Sequence, residues 1–167
     1  MPNTIGGSLA ASFAGEPRST IDIDVVAALE EHQIDALVSE LEDDFYVDPA
    51  SLHRAVRAAG SANLIHQPTQ LKVDIFIAGG TPLDRQQIAR RIQVRLGERT
   101  LHVHPPEDIL LQKLRWFRAG GEVSDRQWRD IVGIVRTQGS NLDRAYLVAS
   151  APILEVEDLL ARALGQA

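Results

Sequence analysis

The chain is 167 residues long, 44% hydrophobic and 24% charged, with a formal net charge of −6 at pH 7 and no cysteine. That length suits one domain with a real hydrophobic core, and the lack of cysteine excludes a disulfide framework or a thiolate zinc site. The acidic balance argues against wholesale coating of nucleic acid, which needs a basic surface, while leaving room for a local basic patch. No apolar run approaches the roughly 20 residues of a membrane-spanning helix. The first residues, Met1 to Ile5, lack the basic and apolar regions of a secretory signal. The expected setting is a reducing cytoplasm, away from membranes.

In chain order, Ile5 is expected to end a short first strand. Gly6-Gly7 gives a tight turn in which the backbone can approach a ligand closely. Ser8 reads as the N-cap of a short helix, Leu9 to Ala14, closed by Gly15. Residues 16–19 form a turn into the strand Thr20-Ile21-Asp22-Ile23-Asp24-Val25-Val26. Within 30–42, Ile34, Leu37, Val38 and Leu41 recur at helical spacing. Phe45-Tyr46-Val47 reads as a short strand, and Pro49 opens a helix to about Ala59, ended by Gly60. Residues 62–66 and 71–77 read as two strands joined by Gln67-Pro68-Thr69-Gln70, a hairpin connection. Pro82 starts an arginine-rich helix to about Ile92, and Leu101-His102-Val103-His104 makes a last strand.

From Pro105 on the pattern is helical only. Pro105-Pro106 is a helix start, with Ile109, Leu110 and Leu114 as one apolar stripe. Gly120-Gly121 breaks the chain, and Ser124 with Gln127 makes a capping box for a helix that turns Ile131, Val132 and Val135 inward. Two more helices are expected near 142–150 and 153–164. The class is α+β: a mixed sheet flanked by helices, with a C-terminal helical hairpin and tail. Residues 1–104 form the α/β core and 105–167 the helical extension, within one compact domain.

Asp22 and Asp24 break the local rule of their strand. Asp is depleted in strands, and side chains at i and i+2 point to the same face, so two anions about 6–7 Å apart face outward together. Such a pair is costly unless a cation sits between them, and breaks of this kind tend to fall at functional sites. Asp74 is a third carboxylate in an otherwise apolar strand, Leu71-Lys72-Val73-Asp74-Ile75-Phe76-Ile77. Alone, a D-x-D pair is more often a solvated edge.

The pattern of Gly7-Ser8, thirteen residues, Asp22-Ile23-Asp24-Val25, then a distant Asp74 in Val73-Asp74-Ile75-Phe76 resembles the nucleotidyltransferase superfamily, which includes DNA polymerase β and the aminoglycoside nucleotidyltransferases. Within it the chain is similar to the small prokaryotic branch around AbiEii-type toxins. The lead-in Gly15 to Thr20, the segment Glu107 to Leu114 and the helix carrying Asp130 look like that branch. The resemblance implies transfer of a nucleoside monophosphate from an NTP to a hydroxyl, with release of pyrophosphate. It implies two Mg²⁺ ions, for which Mn²⁺ can substitute, held by Asp22, Asp24 and Asp74; hard oxygen ligands suit such ions. Gly6, Gly7 and Ser8 would bind phosphates at a helix N-terminus. Lys113 would touch the triphosphate as a point charge, Arg18 would reach phosphate, and Asp130 would position the acceptor.

Each of these supporting roles has a plainer alternative: a turn-stabilising Arg18, a solvated Lys113, a structural Asp130. Asp130 matches the second acid of the branch's paired-Asp helix motif, which positions substrate or acts as base. Gln127 stands three residues earlier, where the family often has Asp, and that departure weakens a base role for Asp130. The implied partners are an NTP, an RNA such as tRNA or a protein as acceptor, and an antitoxin. Relatives in that branch carry a helix ahead of the glycine turn, and a homo-oligomer is one way of covering the same face. The rival reading is a nucleotide-binding or regulatory module that keeps the fold without turnover. Arg85, Arg90, Arg91, Arg95 and Arg99 read first as a solvated helix face and second as a nucleic-acid contact. His102 and His104 read as structural or surface residues, and Trp116 and Trp128 as core of the helical hairpin.

Overall fold

A computed structural model describes residues 1–15 and 22–166. The chain divides into two compact units: one from Met1–Leu9 and from the second strand to Val103, the other from the C-terminal part of the first helix and from His104 onward. The first unit holds β1 (Asn3–Ile5), the start of α1 (Gly7–Ala14), β2 (Asp22–Ala27), α2 (Ile34–Leu41), β3 (Phe45–Val47) and α3 (Pro49–Ala58). It continues with β4 (Ser61–His66), β5 (Leu71–Ile77), α4 (Pro82–Arg90), β6 (Ile92–Leu96) and β7 (Arg99–Val103). The seven strands form one sheet in the order β3-β4-β5-β2-β1-β7-β6. β2 runs parallel to β5 and β1 parallel to β7, and the other neighbours are antiparallel.

Local chemistry sets the helix ends. Asp48 accepts a hydrogen bond from Ala50 N at 3.1 Å ahead of Pro49, a residue preorganised for a first helical position. Thr81 and Asp84 cap α4 reciprocally, each accepting from the other's backbone N–H. The core of this unit follows from strand alternation. Ala62 and Leu64 of β4 and Ile75 and Ile77 of β5 pack with Ala27, Leu29, Ile34, Leu52 and Ala55, so α2 and α3 cover one face of the sheet. Every second residue of β2 and β5 is left to the opposite face.

Two expectations for this unit are corrected. The arginine-rich helix ends at Arg90, and Ile92–Leu96 is a strand paired with β7. Ile92, Val94 and Leu96 alternate with Gln93 and Arg95, a period of two that outweighs the helical start from Pro82. Arg95 and Arg99 therefore lie on a hairpin closed through Gly97, whose φ is +61°, and not on the helix face that carries Arg85 and Arg90. Helix α1 begins at Gly7, which places Ser8 inside its first turn rather than at the N-cap.

The second unit is helical: the C-terminal part of α1, α5 (Pro106–Ala119), α6 (Asp125–Gln138), α7 (Arg144–Ser150) and α8 (Glu157–Leu164). Helix α5 packs on α6, α7 and α8 through buried Ile109, Leu110, Leu114 and Phe117, and Ile131, Ile134 and Val135 are buried on α6. Ser124 accepts from Gln127 N at the head of α6, the backbone half of the expected box. Arg118 ties α5 to Asp158 of α8 at 2.6 Å. Trp128 packs against Phe117 with centroids 5.2 Å apart and the rings tilted by 38°, and lies under the Arg162 guanidinium at 4.0 Å. Trp116, expected beside it in the hairpin core, is exposed instead. No helix among the described residues is long and apolar enough to cross a membrane.

His104 is 2% exposed, and neither ring nitrogen has a hydrogen-bond partner among the described residues. Burial disfavours the charged ring and lowers its pKa from 6.5 to about 4. The unfolded chain binds that proton as pH falls below its own value, while the folded chain resists down to about 4. This contribution to stability is complete above pH 6.5 and is lost as pH falls toward 4. Denaturant unfolding should therefore show the wild type losing roughly 3 kcal/mol more than His104→Leu between neutral pH and pH 4. In the first unit, Leu52 is fully buried. Leu52→Ala should lower the unfolding free energy by about 2–5 kcal/mol in the same assay.

Candidate active site

The parallel ladder of β2 and β5 sets Asp24 against Asp74 and Asp22 against Lys72. Register partners project to the same face, and so do residues at i and i+2. Asp22, Asp24, Asp74 and Lys72 thus share the face opposite α2 and α3, while Ile23, Val25, Val73 and Ile75 take the core face. Across β4, Asn63 is the partner of Asp74, which extends the polar row over three strands. The register sets the three carboxylates expected to act together on one face of two neighbouring strands. They stand on the two central strands β2 and β5.

A cation already stands among them. Lys72 Nζ lies 2.8 Å from Asp74 Oδ2, with the lysine side chain 42% exposed and the aspartate 15%. The hydrogen bond to Asp74, its charge, and then the charges of Asp22 and Asp24 raise the pKa of the Lys72 ammonium above its ordinary value. Lys72 is the residue that sequence reasoning missed. Its signal was legible: alternation that puts Asp74 outward also puts Lys72 outward, two residues earlier.

The glycine turn closes on the same group. Gly6 N donates to the backbone oxygen of Asp24 at 2.9 Å, so β1 and the turn continue along β2 up to the acid. Gly7 has φ of +58°, and a Cβ built on it would fall 1.6 Å from Asp24 Oδ2. Only glycine suits both the left-handed backbone and that close approach. The first turn of α1, with Ser8, therefore begins directly against the Asp24 carboxylate.

Three carboxylates on one face are a hard-oxygen donor set of the kind Mg²⁺ takes. As the side chains lie, no group of three or more His, Asp or Glu among the described residues stands in metal-holding geometry. Asp74 is engaged by Lys72 instead. The chemistry of the donors suits a divalent cation, while the side-chain arrangement is that of an ion pair.

In the helical unit Lys113 Nζ lies 2.8 Å from Asp130 Oδ2, with the two side chains 11% and 12% exposed. The two residues to which the resemblance gave separate substrate roles are bound to each other, between α5 and α6. At the head of α5, Glu107 and Asp108 are buried where the helix dipole favours acids. Glu107 accepts from Asp143 N at 2.9 Å, and Tyr146 donates to Asp108. Arg18 lies outside the described residues.

No protein-family model matches the sequence, and a comparison with curated proteins finds none that matches. Solved structures do match. An antigenic nucleotidyltransferase-like protein from Paracoccidioides brasiliensis aligns with a TM-score of 0.56 at 18% identity, over 98% of this chain and 84% of that one. The antibiotic-resistance factor ANT(2'')-Ia aligns with a TM-score of 0.55 at 11% identity, over 96% of this chain and 88% of that one. At such identities the likeness speaks for architecture. The chain has a nucleotidyltransferase-like α+β fold.

Proposed function

We infer that the chain is a nucleotidyltransferase that moves a nucleoside monophosphate from an NTP to a hydroxyl of an RNA or protein acceptor. The observation that carries this reading is the meeting of Asp24, Asp74 and the Gly6-Gly7 turn at one point of the sheet. In the reaction the acceptor oxygen forms a bond to the α-phosphorus, the bond from that phosphorus to the pyrophosphate oxygen breaks, and pyrophosphate leaves. Asp22, Asp24 and Asp74 would hold Mg²⁺, which when bound neutralises charge on the triphosphate. The backbone N–H groups at the head of α1 and the Ser8 hydroxyl hold the outer phosphates, where the helix favours anions. Asp74 takes the proton of the acceptor hydroxyl. The toxin-type branch that the motifs resemble adds an antitoxin partner and a cytoplasmic setting to the same reading.

Two observations in solution test it. The wild type should bind labelled NTP in the presence of Mg²⁺ and release pyrophosphate when a macromolecular acceptor is added. Asp24→Asn should lower that release by roughly 100-fold or more, as loss of a group that stabilises developing charge does elsewhere. Binding of NTP without any release would instead favour a nucleotide-binding module that keeps the fold. Absence of both Mg²⁺ and NTP binding would end the enzyme reading. Gly7→Ala should destabilise the fold by at least about 1–2 kcal/mol in thermal unfolding, from the left-handed backbone alone. It should also weaken NTP binding, because the new methyl must push the Asp24 carboxylate aside.

A further inference from the structure

The chain uses lysine sparingly. Only two of its 17 lysine and arginine residues are lysines, Lys72 and Lys113. Each lies 2.8 Å from an aspartate, Lys72 on Asp74 and Lys113 on Asp130. The two choices are not equivalent to arginine. An ammonium is a compact charge on a flexible stem, whereas a guanidinium grips a carboxylate through a fixed fork. Lys72 is also the register partner of Asp22, so its Nζ rises from within the acidic group rather than reaching in from its rim.

We propose that Lys72 is a built-in counter-ion of the Asp22, Asp24 and Asp74 group, which a divalent cation must displace from Asp74 in order to bind. The inference rests on the metal-binding reading above and adds its regulation. Without metal, three carboxylates on adjacent parallel strands repel one another, and the ammonium offsets that repulsion. With metal, the same carboxylates are neutralised by the stronger charge, and one cation has to leave. Lys72 can leave because it is 42% exposed and its stem reaches solvent. The exchange holds the acidic face together while metal is scarce and makes loading a competition. Metal affinity is thereby set lower than three aspartates alone would give.

The low lysine count makes the test direct. Protein labelled at lysine Cε gives two sets of signals, and Lys72→Gln identifies which belongs to Lys72. On titration with Mg²⁺, the Lys72 signals should change from those of a held side chain to those of a mobile one, while the Lys113 signals stay. In parallel, Mn²⁺ affinity measured on the full chain should be about tenfold tighter for Lys72→Gln than for the wild type. Lys72→Arg, which keeps the charge and grips more firmly, should bind no tighter than the wild type. Metal binding with the Lys72 signals unmoved, or equal affinities for wild type and Lys72→Gln, would overturn the displacement and leave the metal site standing. If neither wild type nor Lys72→Gln binds Mg²⁺ or Mn²⁺, the metal reading itself falls, and this inference with it.

Discussion

Parallel pairing of β2 with β5 places Asp24 beside Asp74 and Asp22 beside Lys72, and the candidate site depends on that register more than on any one side chain. A slip of one residue would turn Asp74 to the core face and an apolar residue to the acidic one. The core prevents it. Ile23, Val25 and Ala27 match Val73, Ile75 and Ile77 along the same ladder, so the apolar half of the pairing fixes the acidic half. Parallel strands need a crossover of a dozen or more residues. Here that crossover holds α2, β3, α3 and β4, which also supply the helices that cover the core face.

Asp24 has two duties. Its backbone oxygen receives Gly6 N, and its side chain closes against Gly7, so the residue proposed to hold metal also anchors the turn that would receive phosphates. Fold and chemistry are therefore not separable at this position. The arrangement leaves like charges close together on a central part of the sheet, a local cost of the kind that active sites retain for function. Lys72 limits that cost without abolishing the acidic character of the face.

Much of this was legible in the sequence because it is written in periods. Alternation placed Asp22 and Asp24 on one face, the Gln67–Gln70 connection between β4 and β5 was readable from its turn residues, and Pro49 and Pro82 marked helix starts. What local pattern cannot supply is which strands become neighbours, so the pairing of Asp24 with Asp74 was visible only through the family resemblance. β6 was missed because four arginines between 85 and 95 suggested a solvated helix, although Ile92, Val94 and Leu96 alternate. The charge of Lys113 and Asp130 was legible, and their pairing was not. It joins two helices across a tertiary contact that has no spacing in the chain. Exposure of Trp116 has the same cause, since which side of α5 faces outward depends on how α6, α7 and α8 pack.

β1 is three residues long, yet it lies inside the sheet, antiparallel to β2 on one side and parallel to β7 on the other. Thr4, at its centre, is fully buried. During synthesis this strand leaves the ribosome before the other six of the sheet, and β2 can pair with it early. Its second neighbour is the last strand of the unit, reached only through Ile5 opposite Val103. Until β7 emerges, one side of β1 presents unpaired backbone groups, and the nascent sheet has an open edge at its middle. Joining of the β6–β7 hairpin is thus the pairing of greatest sequence separation in the sheet, the step that loop closure makes slowest.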